Sequence, residues 1–579
     1  MKKLTLACLA LALTGNWAPA APNTTVLGPL SKIARDLVGA NPLAPVQVIV
    51  QWKQAPSLLQ HQEVTSLGGQ LISTLPLING AVYTLPAGLV NILAALPDII
   101  YISPDRGVAA KLDYTAAAIN AGAAWSSNYT GAGIGVAVID SGINADPNFG
   151  NRIPAYYDFV GGRGQDQYGH GQHVAGIIAA SGQTSNCLTC TRSLKGIAPG
   201  ATLLNARVLD QNGTGQVSNV ITAIQGAIAL KSKYNIRVIN LSLGQPVYES
   251  YTLDPLCQAV EAAWKAGIVV VVAAGNDGRD NSFGSNGYGT ITSPGNDPYV
   301  ITVGAMKTEA TYNRADDLIA SYSSKGPTMV DQIVKPDLVA PGNMVVSLQA
   351  ANSTLVNEYP ANIPPVSYYE YTLNVPLLGA LPKDTEYFSL SGTSMAAAVV
   401  SGAVADLLQA QPSLTPDQVK ARLMQTAYSA SFPASSTAYD PTTGQTYTDY
   451  YDPFTVGAGY LDIAAALADT TVATGNAMSP TATFNSATGT LTFLFAEGSV
   501  WNSSAVWSTS SIWDTSSVWG TATVGSASSV WSSSSVWSTS SVWSSSSVWS
   551  TSSVWSSSSV WSTSTPSAQS STVLINGEP

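Results

Sequence analysis

The chain has 579 residues, of which 45% are hydrophobic and only 10% are charged, and its formal net charge is -11. This hydrophobic share is enough for a large core, and the length corresponds to roughly four domains of average size. The acidic balance argues against binding to nucleic acid or to anionic membrane surfaces, because both attract basic proteins.

The N-terminus has the pattern of a secretory signal peptide. Lys2 and Lys3 precede an apolar run over residues 4–13, and Ala18-Pro19-Ala20 places small residues where a signal peptidase reads them. We predict that residues 1–20 are removed and that the protein is secreted, either extracellular or associated with the cell surface. The run is too short to span a bilayer, and no later stretch reaches about eighteen uninterrupted apolar residues, so no transmembrane helix is expected.

A pair of cysteines, Cys187 and Cys190, lies in a run rich in Ser, Thr and Asn. In an exported protein, two cysteines at this spacing are expected to form a local disulfide. A zinc site would need more ligands, and the only histidines of the chain are His61, His170 and His173. The disulfide is therefore the preferred interpretation of this pair.

Residues 46–105 have a compact α+β pattern. Strands are predicted at residues 46–52, 81–85 and 99–102, with a helix at residues 89–96. A segment of this size could be an independent binding module, or a pro-segment that docks on the part of the chain that follows it.

From about residue 131, apolar strands and helices alternate. Strands are predicted at residues 135–140, 203–209, 237–242, 268–273 and 299–303, and helices at residues 217–231 and 256–266. Strands that are apolar on both faces and separated by helices indicate an α/β domain with a mostly parallel central sheet. Ligands bind at the carboxyl ends of such strands, and Asp140, Ser242 and Asn276 all fall there.

The stretch from Leu390 to Gly402 is a turn of small residues that leads into an almost entirely apolar helix, beginning near Ser394. A serine there has two interpretations. It could cap the helix, which is the commoner use, or its hydroxyl could act as a nucleophile beside unpaired backbone N–H groups that favour a developing anion. A second helix is predicted after Thr415, with Pro416 as its first residue.

The C-terminal part has a repeat of six residues. From Val500 to Trp561, Val-Trp (once Ile-Trp) recurs every six residues between Ser and Thr, and Val524 is followed by Gly525 instead of Trp. An even period would keep the Val and Trp side chains on opposite faces of an extended strand. Two interpretations stay open, a thin β-structure with a Trp stripe that contacts glycans or a cell surface, and a Ser/Thr-rich tail without a fixed fold.

A base for Ser394 is available in the stretch from Gln165 to Ile177. His170 follows a glycine and opens an apolar helix, and a helix N-terminus is expected to lower the pKa of a histidine, so that it accepts a proton near neutral pH. A packed histidine would explain either His170 or His173 alone. Together with Asp140 and Ser394, however, His170 completes the acid, base and nucleophile that nucleophilic catalysis requires.

Four segments resemble the signatures of subtilisin-like serine proteases (subtilases, peptidase family S8), and they occur in that family's order. They are Val138-Ile-Asp-Ser-Gly142, His170-Gly-Gln-His-Val-Ala-Gly176, Ala273-Ala-Gly-Asn276 and Gly392-Thr-Ser-Met-Ala-Ala397. The resemblance covers roughly residues 131–467 and implies a three-layer subtilisin-like domain. Residues 46–105 resemble the family's inhibitor-type propeptide, less specifically.

The resemblance implies a role for each catalytic residue. Ser394 is the nucleophile, His170 the general base and acid, and Asp140 the residue that orients the imidazole. Asn276 donates its side-chain amide to the oxyanion, together with the backbone N–H of Ser394; in subtilisin, loss of that asparagine costs about 10²–10³ in kcat.

The resemblance also implies a substrate cleft. One edge would be formed by Ser242, Leu243 and Gly244, the other by Gly213 and Gly215, and a peptide would bind between them as an extended strand. No metal is expected to bind and no cofactor is expected. Calcium, which relatives often bind in the loop after the histidine helix, is left open, because no acidic run suggests a cage there.

Two departures from the family pattern lie next to the site. Gln172 stands where the family usually has Thr, and Ala398-Val399 replaces the common Pro-His after the nucleophile. Neither position supplies a proton in the chemistry, so we expect altered packing and retained activity.

The predicted organisation is a signal peptide at residues 1–20, a propeptide at 21–110, a peptidase domain at 111–470, and a linker with the repeat tail at 471–579. The predicted function is a secreted serine endopeptidase, made as a zymogen that cleaves itself between about Asp105 and Tyr114. Its partners would be protein or peptide substrates and its own propeptide as an intramolecular inhibitor, with no nucleic acid. The alternative is a surface adhesion or glycan-binding protein in which the Trp repeat is the active part.

Overall fold

The structure is a computed structural model, and it describes residues 32–34, 37, 42, 44–104, 111–112, 114–161, 164–187, 189–281, 285–370, 386–440, 443–485, 490–503 and 573–578. The chain divides into two compact units, Met1–Ala109 and Ala110–Pro579. The predicted signal peptide and the repeats of residues 504–561, with their predicted Trp stripe, lie outside the described residues.

The first unit is an antiparallel sheet with two helices. Its elements are β1 (Pro45–Trp52), α1 (Leu58–Ser66), β2 (Gln70–Leu75), β3 (Gly80–Pro86), α2 (Leu89–Ala94) and β4 (Ile99–Pro104). The strand order is β2-β3-β1-β4. The core side chains Val48, Val50 and Trp52 alternate along β1, as a half-buried strand requires.

Strands β1, β3 and β4 and helix α2 were predicted from the sequence, whereas α1 and β2 were not. Helix α1 buries only Val64 and leaves Leu58 and Leu59 exposed, so it has no apolar stripe for a pattern to reveal. Strand β2 is exposed along nearly its whole length and belongs to the sheet through its pairing with β3.

The second unit contains the larger sheet. Its strands are β5 (Lys111–Leu112), β6 (Gly135–Asp140), β7 (Ala155–Asp158), β8 (Arg192–Ser193), β9 (Thr202–Arg207), β10 (Ile236–Leu241), β11 (Val269–Ala273), β12 (Ile301–Lys307), β13 (Leu318–Ile319), β14 (Leu338–Pro341), β15 (Val345–Leu348), β16 (Tyr387–Leu390), β17 (Ser435–Asp440), β18 (Gln445–Tyr450), β19 (Thr481–Asn485) and β20 (Thr490–Leu494). Its helices are α3 (Tyr114–Ala118), α4 (Ala121–Ser126), α5 (His170–Ala179), α6 (Val217–Tyr234), α7 (Pro255–Lys265), α8 (Thr354–Glu358), α9 (Thr393–Ala410), α10 (Pro416–Gln425) and α11 (Ile463–Ala468).

The central sheet has the order β13-β12-β11-β10-β6-β9-β7, with β14 also paired to β12. All of its pairings are parallel except that of β12 with β13. Helices α5 and α9 pack together against this sheet, and α6 and α7 pack together against it as well. The predicted α/β class with a mostly parallel sheet is confirmed. The position of β6 between β10 and β9 is a topological switch, where a cleft forms at the carboxyl ends of the strands.

Helix α9 is the buried centre of the unit, and every residue from Thr393 to Leu408 is buried. Among the described residues, it is the one helix that is long and apolar enough to cross a membrane, and most of it is packed inside the unit. Its apolar character is therefore explained by its contacts with α5 and with β10, β11, β12 and β14. Thr415 caps α10 through Gln418 N, with Pro416 as the first residue of the helix, as predicted.

Outside the sheet, the structure shows the state of the cysteines and the position of the first Val-Trp pair of the repeat. Cys187 and Cys190 form the predicted local disulfide, and Cys257 is a free, buried thiol. The first Val-Trp pair of the repeat is part of the folded unit, because Trp501 is buried and donates its indole N–H to the carbonyl of Met478 at 2.9 Å. The predicted placement of Val and Trp on opposite faces of an extended strand does not apply to this pair, because residues 500–503 form a 3₁₀ turn.

Candidate active site

Asp140 ends strand β6, all of whose residues are buried. One oxygen, Oδ1, lies 2.8 Å from Nδ1 of His170 and also accepts a hydrogen bond from the Ser141 N–H at 2.7 Å. The carboxylate is 1% exposed, so little water competes for it. Asp140 can therefore hold the imidazole in one orientation and stabilise its charged form.

His170 is the first residue of α5, after Gly169 at the N-cap position. The carboxylate of Asp166 accepts from the N–H groups of Gly169 and Gln172 at the helix start, both at 2.7 Å, and the Ser141 hydroxyl accepts from that of Gly171 at 2.8 Å. The Ser141 hydroxyl donates to the same carboxylate at 2.8 Å. Asp166 was not singled out from the sequence, although its position four residues before His170 suits a residue that caps the helix from outside.

The pKa of His170 is raised above 6.5, which is the opposite of the prediction. Burial alone lowers the pKa, as does any helix N-terminus, but the charge of Asp140, its hydrogen bond and the charge of Asp166 together outweigh burial. The prediction was wrong because the charges of two carboxylates, Asp140 and Asp166, raise the pKa of the imidazole, and the spacing in the sequence did not reveal the effect of Asp166.

His173 has a structural role. Its Nε2 lies 3.0 Å from the carbonyl oxygens of both Val345 and Phe388, which connects α5 to the antiparallel pair of β15 and β16. Burial, followed by the charge of His170, lowers the pKa of His173 to about 3. His173 therefore stays neutral and is unsuited to carry a proton in catalysis.

The charge of Asp166 leads to a prediction for the pH profile. A base with a raised pKa loses activity as the pH falls through that pKa. In Asp166→Asn, one of the charges that raise the pKa of His170 is gone, so the acid limb of kcat/KM should move to lower pH. The measurement is kcat/KM against pH, with Asp316→Asn, an exposed carboxylate, as the control. An unmoved or upward-shifted limb would contradict the assigned effect of Asp166.

Ser394 is the second residue of α9, and the N-cap position belongs to Gly392. The alternative of Ser394 as the helix cap is therefore wrong. Its Oγ donates to the carbonyl of Ser242 at 3.1 Å, and the Ser242 hydroxyl donates to the carbonyl of Ser394 at 2.8 Å. Among the residues that the structure describes, no hydrogen bond joins Ser394 Oγ to His170, although α5 and α9 pack together. Rotation about one side-chain bond would redirect the hydroxyl, and catalytic hydrogen bonds often tighten only when substrate binds.

Asn276 follows strand β11 and lies against the same turn. Its Oδ1 accepts from the Thr393 N–H at 2.9 Å and from the Thr393 hydroxyl at 3.1 Å. With Oδ1 engaged in this way, Nδ2 is the end of the amide that can donate to a bound group. A Cβ on Gly392 would lie 3.2 Å from that Nδ2, so the glycine keeps space open beside the donor.

The residues predicted to form the cleft lie on two loops. Ser242 is buried against Ser394, whereas Gly244 is exposed, and the chain continues into an antiparallel bridge between Gln245 and Ser293. On the other loop, Gly213 has a φ of +74° and packs on the ring of Tyr168, where a Cβ would lie 2.6 Å from a ring carbon. That places Gly213 near the segment that carries His170. The binding roles of these two loops, including Leu243 and Gly215, stay predictions.

The two departures from the family pattern have structural explanations. Gln172 is buried, and its side chain accepts from Asn144 N at 2.8 Å and donates to Asp146 at 3.3 Å, so it fixes the loop that follows Asp140. Ala398 and Val399 are fully buried in α9, where apolar side chains are favoured.

The disulfide loop does not fit calcium. Among the described residues, Cys187, Cys190 and Glu370 lie close enough together to hold a metal ion, but the two sulfurs are joined to each other. The Glu370 carboxylate accepts a hydrogen bond from Thr189 at 2.8 Å. Calcium needs six to eight oxygen ligands, and this set offers one carboxylate.

A buried Asp–His pair and a serine at a helix start, at the carboxyl ends of a parallel sheet, are what is expected of a serine hydrolase with an acid–base–nucleophile set. The model of the subtilase family matches residues 131–459. The chain is 36% identical over 348 residues to serine protease AprX of Bacillus subtilis (strain 168), covering 58% of this chain and 71% of that protein. It is 33% identical over 390 residues to subtilisin E of the same strain, covering 66% and 84%. The chain thus belongs to the subtilase family and is a serine-type endopeptidase that acts on proteins or peptides.

Proposed function

We propose that the chain cleaves peptide bonds through Asp140, His170 and Ser394. His170 Nε2 takes the proton of Ser394 Oγ as the oxygen attacks the scissile carbonyl, and later returns it to the leaving amine. Asp140 accepts from Nδ1 throughout, which keeps Nε2 as the basic nitrogen. The observation that carries this proposal is the 2.8 Å contact between Asp140 Oδ1 and His170 Nδ1.

The oxyanion of the tetrahedral intermediate would be stabilised by two donors. One is Nδ2 of Asn276, whose partner oxygen is held by Thr393, and the other is the backbone N–H of Ser394 in the first turn of α9. Both donors are fixed before the substrate binds, so little reorganisation is needed when charge develops.

Labelling with a serine-directed fluorophosphonate tests the proposal. The reagent should react with the wild-type protein at a single serine, and mass mapping should locate it at Ser394. Reaction should weaken as the pH falls through the raised pKa of His170, because the base is then protonated. Modification at another serine, or a rate equal to that of the denatured protein, would contradict the proposed nucleophile.

The first compact unit is proposed to be an inhibitor-type propeptide, and the signal peptide to direct secretion. The unit has its own core around β1 and β3, as expected of a segment that folds before it is removed. Self-cleavage between about Asp105 and Tyr114 would then separate it from the peptidase unit. N-terminal sequencing of the secreted wild-type protein locates that cleavage.

A further inference from the structure

The last residues that the structure describes, 573–578, form a docked peptide on the peptidase unit. Residues 573–576 make one helical turn, and the side chains of Val573 and Ile575 are 2% and 8% exposed. Gly577 N donates to the carbonyl of Val573 at 2.9 Å. We call residues 573–578 the docked segment. Neither the repeat pattern nor the catalytic chemistry described so far accounts for it.

The carboxylate of Glu578 is the centre of the contact. It is 1% exposed and accepts from Ser321 N at 2.8 Å, from Ser321 Oγ at 2.6 Å and from Arg279 Nη2 at 3.1 Å. Its other oxygen lies 3.1 Å from Lys307 Nζ. Burial lowers the pKa of Lys307, but the charges and hydrogen bonds of Glu578 and Glu309 together outweigh burial, and the pKa is raised. Two buried cations share this anion, so its removal would leave both of them under-compensated.

The backbone of the docked segment is recognised as well. The Asn343 side chain pairs with both backbone groups of Glu578, accepting from its N–H at 2.8 Å and donating to its carbonyl at 2.7 Å. The side-chain amide of Asn362 donates to the carbonyl of Ile575. Gly577 has a φ of +63°, and a Cβ there would lie 2.5 Å from the Ser391 hydroxyl. The site therefore selects apolar residues at two positions, followed by Gly and Glu.

The docked segment contacts the two loops that lie next to Asn276 and Ser394. Ser391, three residues before Ser394, donates its backbone N–H to the carbonyl of Leu574 at 2.9 Å. Arg279, three residues after Asn276, pairs with the carboxylate of Glu578. The segment is thus a bridge between the oxyanion loop and the turn that precedes the nucleophile.

We infer that the docked segment acts as an intramolecular peptide ligand that positions Asn276 relative to Ser394, with Glu578 as a positioning residue. This inference rests on the proposed roles of Ser394 and Asn276. Without the Glu578 carboxylate, Arg279 loses one of the two carboxylates with which it pairs. It keeps Asp440 at 3.4 Å and the Ser321 hydroxyl at 2.7 Å, so the oxyanion loop is held less firmly. A misplacement of about 1 Å at such a site can cost about 10² in rate.

The test is Glu578→Gln in the full chain, with kcat and KM measured separately. We expect kcat to fall by about 10- to 100-fold with KM nearly unchanged, because oxyanion stabilisation acts on the transition state. The matched control is Glu309→Gln, which removes a carboxylate 3.2 Å from the same Lys307 without touching either catalytic loop. Asn576→Ala, an exposed position in the docked segment, is the second control, and both controls should keep wild-type kcat.

An unchanged kcat in Glu578→Gln, or a rise in KM alone, would overturn the inference, as would a lower melting temperature at wild-type kcat. If Glu578→Gln does not fold, Gly577→Ala is the alternative test. It keeps every charge, but its Cβ pushes the docked segment away from Ser391. A wild-type kcat in Gly577→Ala would equally refute the positioning role. Fluorophosphonate labelling separates this inference from the proposed function. If the wild type is not labelled at Ser394, the proposed function is refuted. If the wild type and Glu578→Gln are labelled at equal rates, only the positioning role of Glu578 is refuted.

Discussion

Ser394→Ala should abolish proteolysis, with kcat falling by about 10⁶, the loss found for the nucleophile of the related subtilisin. The variant keeps the backbone N–H at the start of α9 and the Asp140–His170 pair, so substrate binding should be retained. The measurement is hydrolysis of a chromogenic peptide, with KM or an inhibitor constant recorded beside kcat. In a protease-free host, the same variant should also remain uncleaved between about Asp105 and Tyr114.

Ser218→Ala is a matched control for this experiment. Ser218 is the second residue of α6, as Ser394 is of α9, but it is exposed. Its replacement should leave kcat at the wild-type value. Processing of Ser394→Ala at the wild-type site and rate would refute self-cleavage, and a kcat within tenfold of wild type would refute the assigned nucleophile.

Asp140→Asn should lower kcat by about 10⁴, the loss known for this replacement in another serine protease, which corresponds to about 5 kcal/mol of transition-state stabilisation. An amide in place of the carboxylate can hold the imidazole in the wrong tautomer, and it removes the charge that stabilises the imidazolium. Because the charge of Asp140 raises the pKa of His170, the acid limb of the remaining activity should also move to lower pH.

The control for the aspartate is Asp146→Asn, which removes a carboxylate from the loop that follows β6. That side chain accepts from Asn148 and from Gln172, so its loss should affect the loop rather than the imidazole. Profiles of kcat and of kcat/KM against pH check both variants. An Asp140→Asn enzyme with the wild-type acid limb would show that the carboxylate does not act on His170.

Much of the peptidase fold could be predicted because its strands are apolar on both faces. Strands β6 and β11 are buried throughout, so their sequences are continuous apolar runs, and each ends at or just before a polar residue of the candidate site. Strand β7 was missed because Tyr156 and Tyr157 are exposed. Short edge strands have no such pattern and are defined by the neighbour with which they pair.

The local arrangement of the site was less predictable. The helix with Ser394 begins one residue earlier than the pattern suggested, because Gly392 takes the cap position in a conformation with a φ of +149°. The sequence also did not reveal the effect of Asp166 on His170. It shows that the two residues are close along the chain, but not that the carboxylate of Asp166 lies where it caps the helix and acts on the imidazole through space.

The sequence alone determined the chemistry available to this protein: an aspartate, a histidine, an asparagine and a serine, each at the end of an apolar strand or the start of an apolar helix. Such local patterns follow from burial and backbone geometry, which act over a few residues. The direction of the pKa shift at His170 and the docking of Glu578 beside Arg279 were decided only by the tertiary structure. Both depend on distances between charged groups in space, and for Glu578 and Arg279 those groups are far apart in the chain.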